Sequence, residues 1–513
     1  MKRIALCIAC IVFVCTVASA QQDSIPSFVR DSIDNYVAKA MADWEIPGLS
    51  VCIIKNNKVI LMRGYGVKEL GRNDRVDENT LFMIGSNTKA FTATAIATLD
   101  AENKLSLDDK VTKWIPQFKL ENQAAGEQAV VRDLLCHRIG FKTFQGDFTY
   151  WTSNLSRKEV IEKMSHIKAV YPFRTKWGYT NAAFLTAGEI IPAVTGKQWE
   201  DYIKEKILVP LGMNNTIVLS KDLPAAHNKA APYTMDQGKI VKIPYCLIDN
   251  LAPAGSISSS ANDMSKWVMM QLNNGRYEGK DIVPAKAIQS IRFPNSIMGN
   301  GSTIYNRSNF TLYGLGLELQ DYEGRRVVSH TGGVNGYVSS VTMIPSEKLG
   351  IVVLTNTDQN SFYEALKWEI LDAYLGLPYR NYSKVYLGFN KMQRSNDEKE
   401  NKKLTDSVAL MLKPELPYNA YTGKYFNDVY GNMKVVIEND SKDNDELRMR
   451  FEHHPSMYAK LSPLGGNRFY CVFSDPEFGT AVFPFTVVDG KVTGVTVKVA
   501  DFVEYTPYEF TKK

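Results

Sequence analysis

Residues 86–99 read SNTKAFTATAIATL, in which a serine and a lysine three positions apart open a run of small and apolar residues. Apolar residues such as Ile96 and Ala97 recur at helical spacing, which predicts a helix with a buried face. Positions i and i+3 share one side of a helix, so we expect the Lys89 amine one turn from the Ser86 hydroxyl. A desolvated, partly neutral amine there could take the serine proton. The helix N-terminus would also present backbone N–H groups to a developing oxyanion.

Two further motifs follow along the chain. Ser-x-x-Lys is a common pattern and recurs at Ser165–Lys168, so it decides little alone. Tyr179-Thr180-Asn181 precedes an apolar helical stretch and would present a phenol for proton transfer beside a carboxamide for a substrate amide. His330-Thr331-Gly332-Gly333 ends the strand predicted from Arg326, whose backbone could lie along a substrate, with glycine permitting a close approach. The order of the three motifs is the informative signal.

With these motifs in this order, residues 25–380 resemble the serine β-lactamase and penicillin-binding protein superfamily, nearest to class C β-lactamases and the related esterases and family S12 peptidases. Supporting stretches are Asp133–Gly140, Pro210–Met213 and Pro253–Ser256. The resemblance implies an α/β (α+β) fold of the β-lactamase/transpeptidase type, in which helices and a helical subdomain flank an antiparallel sheet. It implies no metal and no cofactor.

Carried over by position, the resemblance implies a role for each catalytic side chain. Ser86 would be the nucleophile, Lys89 its activating base and Tyr179 the proton shuttle. Asn181 would contact a substrate amide. The implied substrate is a small molecule or peptide that offers an ester or amide carbonyl.

The third motif departs from dedicated β-lactamases. The resemblance implies an oxyanion hole made by the backbone N–H groups of Ser86 and Gly333, with His330, Thr331 and Gly332 beside the substrate. Relatives that bind a substrate carboxylate usually keep a lysine where this chain has His330. Histidine has an ordinary pKa near 6.5, so most of the positive charge would be absent at neutral pH. This favours substrates that need not be anionic.

The sequence therefore predicts an exported serine hydrolase that forms an acyl-enzyme, of the esterase or peptidase kind. Several alternatives stay open: a D-amino-acid or cell-wall peptide carboxypeptidase or aminopeptidase, an acyltransferase to an alcohol, a β-lactamase proper, or a sensor that binds penicillin or peptidoglycan without turnover. The chain has no Gly-x-Ser-x-Gly, which excludes the usual α/β-hydrolase route to a serine nucleophile.

Residues 1–20 have the pattern of a signal peptide. Lys2 and Arg3 precede an apolar run that ends in Ala18-Ser19-Ala20, so we expect cleavage after Ala20 and a periplasmic or secreted product, with a lipoprotein as the alternative. No later stretch is long and apolar enough for a stable membrane span. The cysteines outside this segment, Cys52, Cys136, Cys246 and Cys471, are interpreted as buried apolar residues whose disulfide status stays open.

Composition and patterning predict two folded regions. The 513 residues carry a formal net charge of +5, too small to suggest nucleic acid as a partner. We expect a hydrolase region at 21–385, a charged linker at 386–417 and a barrel-like (lipocalin-like) all-β domain at 418–513. Its predicted strands are Tyr421–Tyr425, Met433–Ile437, Leu447–Phe451, Arg468–Phe473, Ala481–Val488 and Val495–Val499. Oligomeric state and the role of this domain stay open.

Strands are predicted near both ends of the hydrolase region, with helices between about 80 and 290 and a closing helix at Phe362–Tyr374. The predicted strands are Leu49–Ile54, Val59–Gly64, Gly314–Leu319, Arg326–His330, Gly336–Ile344 and Gly350–Asn356. The pairs Cys136-His137 and His453-His454 lack metal-ligand spacing. His137, His166 and His227 are interpreted as loop or packing residues.

Overall fold

The computed structural model describes residues 25–299, 305, 308–439 and 445–513. The predicted signal peptide lies outside the described residues and stays a prediction. In the part of the chain that the structure describes, no helix is long and apolar enough to cross a membrane.

An antiparallel sheet of eight strands forms the centre of the hydrolase region. It combines strands from both ends of the region, as the sequence pattern predicts. In spatial order the strands are Lys58–Gly66, Gly48–Lys55, Leu349–Thr355, Tyr337–Ile344, Arg325–Val334, Glu318–Tyr322, Thr311–Tyr313 and Ser296–Gly299. Three two-stranded sheets join Phe82–Met83 to Ser258–Ser259, Tyr233–Asp236 to Lys239–Lys242 and Arg276–Tyr277 to Lys280–Asp281.

Helices cover both faces of the sheet. Leu49, Val51 and Ile53 pack toward one face, while Cys52 and Ile54 pack toward the other, because side chains alternate along a strand. Ile33–Trp44 and Phe362–Tyr374 cover the first face, and Thr88–Ala101 and Ala261–Leu272 belong to the second. The remaining α-helices of this region are Val111–Trp114, Gln123–Gln128, Val131–Leu135, Asp147–Tyr150, Arg157–Lys163, Asn181–Thr195, Trp199–Ile203, Val209–Leu211, Ala252–Gly255 and Ala285–Ile291.

The helix that follows Ser86 lies in the interior of the domain. Every residue from Thr88 to Leu99 is buried, so the helix is enclosed on all sides rather than along one face. Its alanines and threonines fit this position, since small side chains allow close neighbours on every side. The sequence predicted the buried face and missed the enclosure.

Two strand predictions are wrong in detail. Gly314–Leu319 is not one strand: the chain leaves Thr311–Tyr313, turns through Gly316 at φ +67° and enters Glu318–Tyr322. The second correction concerns the predicted strand Arg326–His330, which is longer: Arg325–Val334 continues through Thr331, Gly332 and Gly333, and these residues pair with the neighbouring strand.

The C-terminal domain is a closed barrel of eight antiparallel strands. They are Gly423–Asn427, Gly431–Asn439, Asp445–Phe451, His454–Pro463, Arg468–Phe473, Thr480–Val488, Lys491–Val497 and Tyr508–Lys512. The first strand pairs with the last, which closes the barrel. The α/β (α+β) class with a C-terminal all-β barrel is therefore confirmed. Two helices follow the sheet and precede the barrel along the chain, Tyr382–Ala409 and Tyr418–Tyr421. The first of them spans most of the predicted linker.

The barrel packs against the helical part of the hydrolase region. Lys163 Nζ donates to the carbonyl oxygens of Val429 and Tyr430 at 2.9 and 3.1 Å. His454 Nε2 lies 2.8 Å from the carbonyl oxygen of Trp151. Cys52, Cys136, Cys246 and Cys471 are all buried free thiols.

Candidate active site

Ser86 and Lys89 meet as the sequence predicts. Ser86 lies in the single 3-10 turn Gly85–Asn87, which leads directly into the buried helix, and Lys89 Nζ lies 3.0 Å from Ser86 Oγ. The second Ser-x-x-Lys shows no such contact. Ser165 Oγ donates to the Glu162 carbonyl oxygen at 2.6 Å, and the Lys168 side chain is exposed.

The Lys89 amine is fully buried among oxygen atoms. Nζ lies 2.7 Å from Asn181 Oδ1 and 2.8 Å from the Ala254 carbonyl oxygen. Burial lowers its pKa to about 7, against the opposing effect of Asp147. A neutral amine has two N–H groups for these two oxygens and a lone pair for the Ser86 hydroxyl. The site therefore suits an amine that removes the serine proton.

Tyr179 borders the same amine, whose Nζ lies 4.6 Å from the centre of the phenol ring. Burial raises the pKa of Tyr179 well above its ordinary value of 10, while the nearby Ser86 hydroxyl lowers it. The phenol oxygen is buried and makes no hydrogen bond of normal geometry within the described residues. It faces the pocket in a protonated form that can donate to an incoming group.

Asn181 links the lysine to a carboxyl group that sequence reasoning missed. Its Nδ2 donates to Asp147 Oδ2 at 2.6 Å, so the order of contacts is Asp147, Asn181, Lys89, Ser86. Asp147 is 1% exposed, and burial and the neighbouring Glu504 raise its pKa well above 3.8. Asp147 belongs to none of the three motifs, so only the fold could bring it here.

A chain of hydrogen bonds keeps His330 neutral. The two outer hydrogen bonds of this chain fix the position of every proton in it. The Thr180 N–H donates to His137 Nδ1 at 3.0 Å, which leaves the His137 proton on Nε2. His330 Nδ1 lies 2.5 Å from the Thr331 carbonyl oxygen and must carry a proton there, so its Nε2 is an acceptor. Tyr313 Oη joins the two rings, at 3.2 Å from His137 Nε2 and 3.0 Å from His330 Nε2.

The direction of this chain is therefore from His137 through Tyr313 to His330. Burial and, to a smaller extent, Lys89 lower the pKa of His330 to about 3. The sequence predicted a weak positive charge at this position, and the structure has none at neutral pH. Sequence reasoning missed Tyr313 and interpreted His137 as a loop or packing residue. His137 does pack in the interior, with its ring centre 4.3 Å from that of Tyr179, but it also hydrogen bonds to Tyr313. His166 and His227 are exposed and lie outside this group.

Close backbone packing brings the third motif against the serine turn. Gly85 has φ +51°, and a Cβ built on it would lie 2.9 Å from Gly333 N. A Cβ on Gly332 would lie only 1.9 Å from the Ile84 carbonyl oxygen. Ser339 Oγ donates to that same oxygen at 2.8 Å. The two segments that carry the predicted oxyanion-hole N–H groups are thus in direct contact, with Thr331 beside them on the pocket wall.

A cavity of about 470 Å³ opens above Ser86. Its wall contains Tyr179, Asn181, His330, Thr331 and Gly333, which the sequence predicts as site residues. Other lining residues were missed, namely Thr143, Phe144, Asp147, Trp151, Trp177, Glu318 and, from the barrel, Asp501, Phe502, Val503 and Tyr505. Six of the sixteen lining residues that the structure describes are Phe, Trp or Tyr, and the C-terminal domain forms part of the wall.

Comparisons with known proteins agree with this geometry. A family model described as Beta-lactamase matches residues 33–375, and a model described as Domain of unknown function (DUF3471) matches residues 411–512. The chain is 25% identical over 449 residues to the unguisins hydrolase ungD of Aspergillus violaceofuscus, covering 82% of this chain and 78% of that protein.

Two solved structures share the fold. The octameric penicillin-binding protein homologue from Pyrococcus abyssi is 23% identical with a TM-score of 0.60, and the match covers 94% of this chain and 99% of that one. A D-stereospecific amidohydrolase from Streptomyces sp. is 21% identical with a TM-score of 0.53, over 66% of this chain and 98% of the other. Among the described residues, no group of three or more His, Cys, Asp and Glu side chains could hold a metal ion.

Proposed function

Since this chain belongs to the beta-lactamase family of serine hydrolases through residues 33–375, we propose that it is an exported hydrolase that cleaves ester or amide carbonyls through an acyl-enzyme on Ser86. The observation that carries this proposal is the buried Lys89 amine 3.0 Å from Ser86 Oγ. Export rests on the pattern of residues 1–20. The unguisins hydrolase and the D-stereospecific amidohydrolase are both named as hydrolases, which supports a reaction of this class.

In the proposed reaction, Ser86 Oγ attacks the carbonyl carbon while its proton passes to Lys89, directly or through Tyr179. The carbonyl π electrons move to the oxygen, which the backbone N–H groups of Ser86 and Gly333 stabilise. Collapse breaks the bond to the alcohol or amine, which takes a proton from Tyr179 as Tyr179 recovers one from the Lys89 ammonium. Water then attacks the acyl-Ser86 carbonyl while its proton passes through Tyr179 to Lys89, and the second collapse releases the acid and returns that proton to Ser86 Oγ. An alcohol bound in place of water would give acyl transfer.

The charges of the pocket favour a neutral substrate. His330 is neutral, and the carboxyl groups of Asp147, Glu318 and Asp501 line the cavity. Among the described lining residues His330 carries the only basic nitrogen, and the fully buried Lys89 amine lies behind the wall, 3.0 Å from Ser86 Oγ. A substrate carboxylate would therefore lack a fixed cation, which favours an esterase or peptidase over a β-lactamase proper.

A fluorophosphonate probe tests the nucleophile. We expect one covalent adduct per chain, located on Ser86 by peptide mass spectrometry, because a neutral amine beside Ser86 Oγ makes that hydroxyl nucleophilic. Ser86→Ala should abolish the adduct. Ser165→Ala, in the second Ser-x-x-Lys, is the matched control and should label as wild type does. No adduct on folded wild-type protein would contradict the proposal.

Three substrates separate most of the remaining alternatives. Turnover of a short-chain ester, a D-alanine amide and a chromogenic cephalosporin should rank with the ester or amide first and the cephalosporin last, because the pocket lacks a cation for the cephalosporin carboxylate. Preferential cephalosporin hydrolysis would contradict the neutral-substrate argument. A stable penicillin adduct with no turnover of any substrate would instead identify a sensor.

The rate should depend on pH through Lys89. A lysine of ordinary pKa near 10.4 would be neutral in only about 1 molecule in 10³ at pH 7, whereas a pKa of about 7 leaves about half of it neutral. We therefore expect kcat/KM to rise about tenfold per pH unit below 7 and to level off above it. An acid limb centred below pH 5.5 would contradict this assignment and indicate that a carboxylate is the base.

A further inference from the structure

Glu504 stands out among the buried ionisable groups, because it belongs to the barrel yet contacts the start of the helix Asp147–Tyr150 behind the active site. It lies between the barrel strands Lys491–Val497 and Tyr508–Lys512 and is 1% exposed. Its Oε1 accepts a hydrogen bond from Gly146 N at 3.0 Å, and its Oε2 accepts one from Phe148 N at 2.9 Å. Tyr508 Oη also donates to Oε2, at 2.8 Å. The carboxylate thus accepts two hydrogen bonds from one backbone segment of the other domain.

The segment 146–148 that bonds to Glu504 contains a residue of the site. Asp147 lies between the two donating residues, and its Oδ2 accepts from Asn181 Nδ2. Asn181 Oδ1 in turn lies 2.7 Å from Lys89 Nζ, beside Ser86. A continuous path of hydrogen bonds and one peptide segment therefore runs from the barrel to the serine.

Resting on the function proposed above, we propose that Glu504 is a positioning residue, through which the barrel fixes Asp147 and Asn181 and thereby holds Lys89 in line with Ser86. Both carboxylate oxygens take part, so the backbone of residues 146–148 is fixed at two points rather than one. A shift there would pass directly to Asn181, since Asp147 Oδ2 is the acceptor for its amide. Positioning errors of about 1 Å can cost roughly 10²-fold in rate.

Charge gives this contact a second effect. Glu504 and Asp147 are buried together and face Tyr150 and Tyr508. Burial raises the pKa of both tyrosines well above 10. Glu504 helps to raise the pKa of Asp147. Asp147 therefore ionises less readily and offers less negative charge to the Lys89 amine. Without the Glu504 charge, Asp147 would ionise more readily and stabilise the Lys89 ammonium. Burial raises the pKa of Glu504 itself to about 7, so above that pH the negative charge of Glu504 helps to keep the catalytic amine neutral.

Glu504→Gln separates this proposal from a merely structural role. An amide replaces one of the two acceptor oxygens with an NH2 group, which would face the N–H of Gly146 or of Phe148 where the carboxylate has an acceptor. We expect kcat for an ester to fall about tenfold, and the acid limb of kcat/KM to move upward by about half a pH unit or more, because Lys89 becomes harder to deprotonate. Glu504→Asp keeps the charge and should lower kcat while leaving the acid limb in place.

Glu509→Gln is the matched control, an exposed carboxyl on the adjoining barrel strand, and should behave as wild type. Amide hydrogen exchange at Gly146 and Phe148 gives a readout that does not need turnover. Faster exchange in Glu504→Gln would support the role of these two hydrogen bonds even if no substrate were found. Unchanged exchange, or a folded Glu504→Gln enzyme with the wild-type kcat and acid limb, would overturn the proposal. Failure of wild-type protein to label at Ser86 would instead overturn the proposed function.

Discussion

Lys89→Met is expected to lower kcat/KM for an ester by about 10³-fold, within the roughly 10²–10⁴-fold range of general-base catalysis. Methionine is close to lysine in length and suits an enclosed helix, but its thioether cannot take the Ser86 proton. The variant also leaves Asn181 Oδ1 and the Ala254 carbonyl oxygen without their donor. We therefore expect a loss of stability of about 1–3 kcal/mol.

Turnover and urea unfolding of the same preparations measure the two losses separately. Lys168→Met is the matched control, since Lys168 is the exposed lysine of the second Ser-x-x-Lys. It should leave both quantities unchanged. If Lys89→Met stayed folded and hydrolysed the ester within threefold of wild type, Lys89 would not be the base. In that case the Ser86 proton would have another acceptor, and Tyr179 would be the first to test.

The motifs could be predicted from the sequence because each keeps its chemistry within a few residues. Ser86 and Lys89 are one helical turn apart, so local geometry alone places them together. The rest of the site has no such local signal. Asp147 reaches it from the start of the short helix Asp147–Tyr150 and Tyr313 from the end of the strand Thr311–Tyr313, so only the packed fold gives them partners. Their residue types are common, and no spacing marks them.

His330 illustrates the difference between a residue type and its state. From the sequence, an ordinary histidine pKa near 6.5 predicts a fraction of positive charge. The structure removes that fraction, because Tyr313 and the Thr331 carbonyl oxygen use both ring nitrogens in one neutral tautomer. Hydrogen-bond partners and burial set the charge, and neither can be read along the chain.

The barrel strands divide in the same way. Runs of β-branched and aromatic residues predicted six strands, but His454–Pro463 was missed because proline lies near both ends and only Met457, Ala459 and Leu461 alternate inward. Tyr508–Lys512 was missed because three of its five residues are charged or polar. Closing the barrel stabilises both strands through pairing with neighbours, a contribution that the local pattern does not contain.

Gly332→Ala is expected to reduce the rate of Ser86 acylation by more than 10²-fold and stability by about 2–3 kcal/mol. The reason is distance: a Cβ at position 332 would lie 1.9 Å from the Ile84 carbonyl oxygen and 2.6 Å from Ser339 Oγ. The strand must therefore move away from the serine turn by about 1 Å, since real Cβ atoms do not approach backbone oxygen closer than about 3 Å. That movement separates Gly333 N from Ser86 N.

The oxyanion hole is sensitive to this separation, because its donors act only within about 2.7–3.1 Å of the developing charge. Gly388→Ala is the matched control, an exposed glycine in the helix Tyr382–Ala409 with no atom within 4 Å of a new Cβ. It should leave acylation unchanged and stabilise the helix by about 0.5–1 kcal/mol. Fluorophosphonate labelling rates and urea unfolding measure both variants. Wild-type labelling by a folded Gly332→Ala protein would contradict the placement of Gly333 N in the proposed oxyanion hole.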